Sequence, residues 1–242
     1  ILAAYDSYQF HLVYQMVLNF CTVELGSFYL DVIKDRQYTC KADSLARRST
    51  QTALYHVAEA LTRWLAPILT FTAEEASENL PGKRPVSILY SEWYQALETL
   101  PQDAPLDNTF WRTVLEIRGI VGPVLEALRS DKTIGSSLDA EVTLYCDEGL
   151  QTLLEKLGDE LRFALITSYA QLQPLSEKPD NLDAQTLTNE MQVAVKAVAS
   201  SHEKCVRCWH HREDVGSHDD HPELCGRCIE NIDGDGEQRQ HA

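Results

Sequence analysis

Leu2, Tyr5, Phe10, Val13, Val17, Phe20, Leu25, Phe28 and Val32 recur at three- and four-residue spacing, which predicts one long amphipathic helix. A charged loop follows, in which Asp43 or Ser44 can cap a second helix running through Leu54, Val57, Ala58, Leu61 and Leu65. Pro67 kinks or restarts it. Thr72 and Glu75 have capping-box spacing and predict a short helix ending near Leu80. Pro81-Gly82 breaks that helix, and residues 85–94 read as an irregular excursion that packs Trp93 and Tyr94 onto the bundle. Residues 101–107 read as a linker. Asp107 or Asn108 then opens a long helix with Phe110, Val114, Ile117, Val121, Leu125 and Leu128 on its buried face, bent at Gly122-Pro123.

Beyond this helix the period changes. Residues 141–146 have the alternation and β-branching of a strand, and 164–172 and 191–198 read the same way. Between the first two, Asp147 can cap a helix through Leu150, Leu153, Leu154, Leu157 and Leu161. The chain is therefore expected to be mainly α. A helical bundle (1–104) precedes a small α+β module (105–200) and a zinc-ribbon-like finger (201–242).

The finger rests on Cys205, Cys208, Cys225 and Cys228, spaced C-x2-C-x16-C-x2-C, a zinc-ribbon spacing. Four thiolates close the tetrahedron that zinc prefers and leave no position for an activated water, so the ion is expected to be structural. Paired disulfides are the rival arrangement. His210, His211, His218 and His221 lie close by, suited to hydrogen bonding around the site, to solvent, or to replacing one cysteine. Gly226, inside the second knuckle, suggests an unusual backbone dihedral. Trp209 can cover the sulfurs or stack on a base.

Composition narrows the partners. The 242 residues are 44% hydrophobic, enough for a proper core, and carry a net charge of −16. No run of eighteen apolar residues occurs, so no membrane span is expected, and no secretory leader is evident. The opening Ile1-Leu2-Ala3-Ala4-Tyr5, without Met, suggests a piece of a longer chain. So negative a chain is not a general nucleic-acid coat. Its most basic stretch holds Lys34, Arg36, Lys41, Arg47 and Arg48, either a solvated face or a phosphate-binding one. From Ser201 onward there are five Lys/Arg against ten Asp/Glu, so any grip by the finger on an anion must use placed groups such as Arg207, Arg227 and Trp209. Phosphate-loop, dinucleotide and nucleophile-elbow motifs are absent. Cys21 and Cys146 read as core and Cys40 as more exposed; Trp64 and Trp111 read as core.

Several segments together resemble a known family. These are Tyr5-Asp6-Ser7-Tyr8-Gln9-Phe10-His11, Phe28-Tyr29-Leu30-Asp31-Val32-Ile33-Lys34-Asp35-Arg36 and Leu65-Ala66-Pro67-Ile68-Leu69-Thr70-Phe71-Thr72-Ala73-Glu74-Glu75. Ser91-Glu92-Trp93-Tyr94, Ile134-Gly135-Ser136-Ser137-Leu138-Asp139-Ala140 and Cys205-Val206-Arg207-Cys208-Trp209 complete the set. They resemble the C-terminal region of bacterial isoleucyl-tRNA synthetases, class I aminoacyl-tRNA synthetases, over essentially the whole chain. The resemblance implies an anticodon-binding domain with a C-terminal zinc segment, in a cytoplasmic ligase that joins isoleucine to tRNA using ATP. It implies one structural Zn²⁺ on Cys205, Cys208, Cys225 and Cys228. The implied partners are isoleucine-accepting tRNA and the upstream catalytic and editing domains, with no DNA and no membrane. The family's His-Ile-Gly-His and Lys-Met-Ser-Lys-Ser motifs are missing, so this piece alone is expected to be inactive. Candidate tRNA contacts are Lys34, Arg36, Lys41, Arg47, Arg48, Arg207, Trp209 and Arg227. A DNA-repair glycosylase with a similar finger and a non-enzymatic helical adaptor are the alternatives.

Overall fold

The computed structural model describes residues 1–101 and 103–242. Gln102, inside the expected linker, lies outside them. The chain divides into two compact units, residues 1–33 with 47–99 and residues 34–46 with 100–242.

The first unit is helical. Helices α1 (Leu2–Asp6) and α2 (Phe10–Asn19) bury Ala4, Val13 and Val17 against Leu61 and Leu65 of α4 (Leu45–Leu65). The single helix expected from residue 2 is broken at Tyr8, whose φ of 55° takes it out of the helical region. Gln9 N–H then bonds back to the Ala4 carbonyl at 2.7 Å. The break brings the Tyr5 and Phe10 rings within 5.8 Å, a gain that periodicity does not report.

From Phe10 the helix continues through a π-helical stretch (Phe20–Tyr29) into α3 (Leu30–Thr39). A Cβ on Gly26 would stand 2.8 Å from the Cys21 carbonyl oxygen, so glycine permits the wide turn. This 30-residue helix has a mean hydropathy of 1.4 over its most apolar 18 residues, long and apolar enough to cross a membrane by those criteria. The expectation rested on an unbroken apolar run, which His11, Gln15, Asn19 and Glu24 interrupt; an average tolerates them.

Helix α4 stops before Pro67, and α5 (Thr70–Asn79) starts three residues earlier than the Thr72 capping box required. No side chain caps it; Thr70 Oγ1 donates to the Ala66 carbonyl, and Glu74 accepts from Ser87 Oγ and Ile88 N–H. The excursion does lay its aromatic residues on the bundle. Trp93 lies 5.2 Å from the Tyr5 ring, and Tyr94 Oη is 2.6 Å from His56 Nδ1.

In the second unit Asp107 caps α6 (Asn108–Ser130), accepting from Phe110 N–H at 2.8 Å. Phe110, Val114, Ile117, Val121 and Leu125 are buried as the period requires, and Leu128 is half-buried. Helix α6 packs on a four-stranded sheet of order β2-β1-β4-β3. Strand β1 (Ala140–Cys146) runs parallel to β2 (Tyr169–Pro174) and antiparallel to β4 (Gln192–Ala199), and β3 (Gln185–Thr186) pairs with β4. Leu144 faces Leu172 on one side and Val195 on the other, and is fully buried.

Asp147 caps α7 (Glu148–Leu154) through Leu150 N–H. A 3-10 stretch (Glu155–Glu160), turned by Gly158 at φ 51°, leads into α8 (Leu161–Leu165). The strand expected over 164–172 is thus helical at its start and becomes β only from Tyr169. Ile166 at φ 58° ends the helix, and Thr167 N–H bonds the Arg162 carbonyl at 2.9 Å.

Candidate metal centre

Two local turns bring the four cysteines together. In the first, Trp209 N–H bonds the Cys205 carbonyl and Cys205 N–H bonds the His210 carbonyl, both at 2.9 Å. Trp209 at φ 65° turns the chain back, so that Lys204 pairs with His211 across a short antiparallel bridge. In the second, Cys225 sits just before α9 (Gly226–Ile232), and Cys228 lies in its first turn, with N–H on the Cys225 carbonyl. Gly226 does not have a positive φ, contrary to expectation. Its lack of a side chain instead admits Asp214: a Cβ would lie 2.9 Å from Asp214 Oδ2, which accepts Gly226 N–H at 2.8 Å.

The four Sγ atoms all lie within 4.8 Å of one another, and all four residues are buried. Sulfurs ~2.3 Å from a tetrahedral zinc would stand ~3.8 Å apart; Cys208 Sγ and Cys225 Sγ stand 3.7 Å apart. That separation is far beyond an S–S bond, and all seven cysteines are free. Donor type, number and spacing fit one structural zinc ion. None of His210, His211, His218 and His221 joins the sulfurs.

Hydrogen bonds from the Cys205, Cys225 and Cys228 thiols hold Cys208 far below the usual thiol range. The same crowding pushes Cys225 and Cys228 up; a bound dication would take all four as thiolates.

Backbone and side-chain donors surround the sulfurs. Cys225 N–H points at Cys205 Sγ at 3.4 Å, and Arg207 Nη1 lies 3.8 Å from Cys228 Sγ while donating to the Thr39 carbonyl at 2.7 Å. His210 is buried with its ring 5.5 Å from Phe163. Its Nδ1 lies 3.2 Å from the Cys208 carbonyl, which can only accept, so that nitrogen carries a proton.

The finger is held to the end of α3 by buried charge. Arg227 makes two bonds to Asp35 and a third to Glu237, and Arg239 adds 2.7 Å to Asp35 Oδ1. Burial opposes ionisation of Asp35, but Arg227 and then Arg239 outweigh it and hold its pKa well below the carboxylate range. The sequence reading did not single out Asp35 as a functional residue; its partners are about 190–200 positions away, and nothing local marks it.

Lys41 also faces inward, its Nζ on the Gly234 carbonyl at 2.8 Å and its N–H on Asn231 Oδ1. Arg36 is buried, 3.9 Å from Glu160. Cys40, expected to be exposed, is buried, and desolvation with the nearby Glu237 carboxylate pushes its thiol up to about 12. Arg47 is half-buried, and Lys34 and Arg48 are exposed. Trp209 is 61% exposed and does not cover the sulfurs.

Comparison with known proteins agrees with this arrangement. A family model described as the anticodon-binding domain of tRNA ligase matches residues 1–144, and one described as a zinc finger found in FPG and IleRS matches residues 203–231. Isoleucine–tRNA ligases from Thioalkalivibrio sulfidiphilus and Nitrosococcus oceani are 57% and 56% identical to it over 99% and 100% of this chain. The Pseudomonas aeruginosa ligase is 55% identical over 99%. The chain spans 25% of the length of these relatives. Although the finger's description is shared with another class of protein, the helical part is matched as a tRNA-ligase domain, which does not favour a repair glycosylase. A sulfur cage at one end and a matched helical region over the first 144 residues lead to one assignment: the chain belongs to the anticodon-binding domain family of tRNA ligases.

Proposed function

We propose that this chain is the anticodon-gripping region of an isoleucine–tRNA ligase, which joins isoleucine to its tRNA with ATP in the cytoplasm. The observation that carries the reading is 55–57% identity to such ligases along nearly the whole chain. The adenylate-forming and editing machinery belongs to the remaining three-quarters of the polypeptide, so this region alone does not charge tRNA. Anticodon bases are single-stranded and can be splayed, stacked and read on their edges. The work divides among a helical platform (1–104), an α+β junction (105–200) and the zinc finger (201–242). Lys34, Arg48 and Trp209 are the exposed members of the candidate contact set. Lys41, Arg207 and Arg227 serve it by fixing the finger, Arg36 is buried beside Glu160, and Arg47 is half-buried.

Filter binding of the zinc-loaded chain to isoleucine-accepting and non-cognate tRNA, at several salt concentrations, tests this. Cognate tRNA should bind more tightly, with affinity falling as salt rises. Trp209→Ala should cost ~1–3 kcal/mol of that affinity, the value of one stacked base, with zinc content unchanged. Equal and salt-insensitive binding of both tRNAs would refute the reading.

A further inference from the structure

Three arginines converge on the ring of Phe163. The Cζ atoms of Arg239, Arg162 and Arg227 lie 3.4, 3.9 and 5.1 Å from its centroid. A fourth, Arg212, lies 4.4 Å over Tyr169. Arg227 and Arg239 are neutralised by Asp35 and Glu237. The other two are not matched in this way. Arg162 is 3% exposed, yet its one carboxylate partner among the described residues is Asp159, bound at Nε and itself 68% exposed. Its Nη1 is buried with no acceptor, and so is Nη1 of Arg212, which forms no ion pair among the described residues. Burial pulls the Arg162 pKa down, with Asp159 opposing and the charges of Arg227 and Arg212 adding to the fall.

Both side chains line one cleft of about 650 Å³ bounded by the 3-10 turn at Gly158 and by Gly226 of the finger. Clustered, desolvated cations with unfilled N–H groups are costly unless an anion completes them. Asp214 lines the same cleft. One of its oxygens holds Gly226 N–H, and the other, Oδ1, is buried without a partner. It can accept only from a donor that the ligand brings.

We propose that this cleft binds a phosphate group that carries or adjoins a hydroxyl, with Arg162 and Arg212 on the phosphate oxygens and Asp214 Oδ1 on the hydroxyl. Guanidinium forks match phosphate oxygens. A ribose phosphate of RNA, with its 2′-hydroxyl, and a free hydrogen phosphate both satisfy the pattern. Only the first source rests on the tRNA reading above.

The test uses the zinc-loaded chain, with Arg212→Gln and Arg162→Lys accepted only if circular dichroism and zinc content match the parent. Thermal melts compare inorganic phosphate with chloride at equal ionic strength, and tRNA binding is followed across a salt series. Phosphate should raise the parent's melting temperature beyond the chloride control, and Arg212→Gln should lose that rise. If the source is RNA, Arg212→Gln should bind tRNA about tenfold more weakly, and its log–log salt slope should shrink by about 0.7–0.9, one phosphate's share. Loss of the phosphate effect with an unchanged tRNA slope supports the site with a free phosphate as its occupant. A parent that responds equally to phosphate and chloride, and whose tRNA slope Arg212→Gln leaves unchanged, overturns the site while the tRNA reading stands. A parent that binds no tRNA overturns that reading instead, and the phosphate melts still decide the site.

Discussion

Asp35 and Arg227 are joined at two points, Nη1 to Oδ1 at 2.7 Å and Nη2 to Oδ2 at 2.8 Å, with side chains only 12% and 13% exposed. Arg239 shares the same carboxylate. Asp35→Asn would leave two buried guanidinium groups short of their counter-charge and should destabilise the second unit by about 3–5 kcal/mol. Denaturant melts followed by a probe in the finger would measure it. A loss under 1 kcal/mol would mean the network is solvated and dispensable.

Cys205→Ser should abolish tight zinc retention and loosen the segment from residue 203 onward while the first unit stays helical. Metal content and amide hydrogen exchange report the two effects separately, because binding of the ion and folding of a finger are coupled. Retained zinc with unchanged exchange would show that three thiolates suffice.

Gly226→Ala separates two physical effects. Helix propensity favours alanine over glycine by about 1 kcal/mol. The new Cβ, however, would stand 2.9 Å from Asp214 Oδ2 and displace the bond made there. The substitution should therefore destabilise the finger by about 1 kcal/mol or more, and adding Asp214→Ala should cancel most of that loss in a double-mutant cycle. A stabilised single variant would show that the carboxylate moves aside freely.

Asp139 gives an acid dependence with a definite sign. Its Oδ2 accepts the N–H groups of Gly135 and Ser136 at 3.0 and 2.7 Å, and Lys204 and His211 lie 3.2 and 3.3 Å from Oδ1. Burial raises its pKa, but the Ser136 N–H, Lys204 and the Gly135 N–H lower it more, to about 2 from 3.8. The carboxylate's contribution is thus complete above 3.8 and disappears as pH falls toward 2. The stability gap between the parent and Asp139→Asn should narrow over that interval, which cancels the acid loss of zinc common to both. A gap constant down to pH 2 would contradict the assignment.

Much of this was readable from residues in order. The cysteine spacing, the caps at Asp107 and Asp147, and the buried stripe of α6 depend on neighbours within a few positions. The failures depend on distant ones. Arg227 and Lys41 read as free cations because Asp35 and the Gly234 carbonyl lie about 190 residues away. Gly226 looked like a dihedral requirement because the carboxylate that needs its space belongs to Asp214. Residues 164–168 carry β-forming side chains, yet they complete a helix whose carbonyl at Arg162 needs Thr167 N–H.

Strand β4 enters the finger directly. Its register on β1 runs from Cys146 against Val193 to Ala140 against Ala199, and Ser200 N–H extends the ladder to the Asp139 carbonyl. The first knuckle begins five residues later, at Cys205. The sheet therefore works as a ruler for the start of the finger. A one-residue slip between β1 and β4 would reverse which face each side chain takes and would reel the knuckle in or out by ~3.3 Å. Residue pairs that never touch metal thus set where the finger begins relative to the sheet.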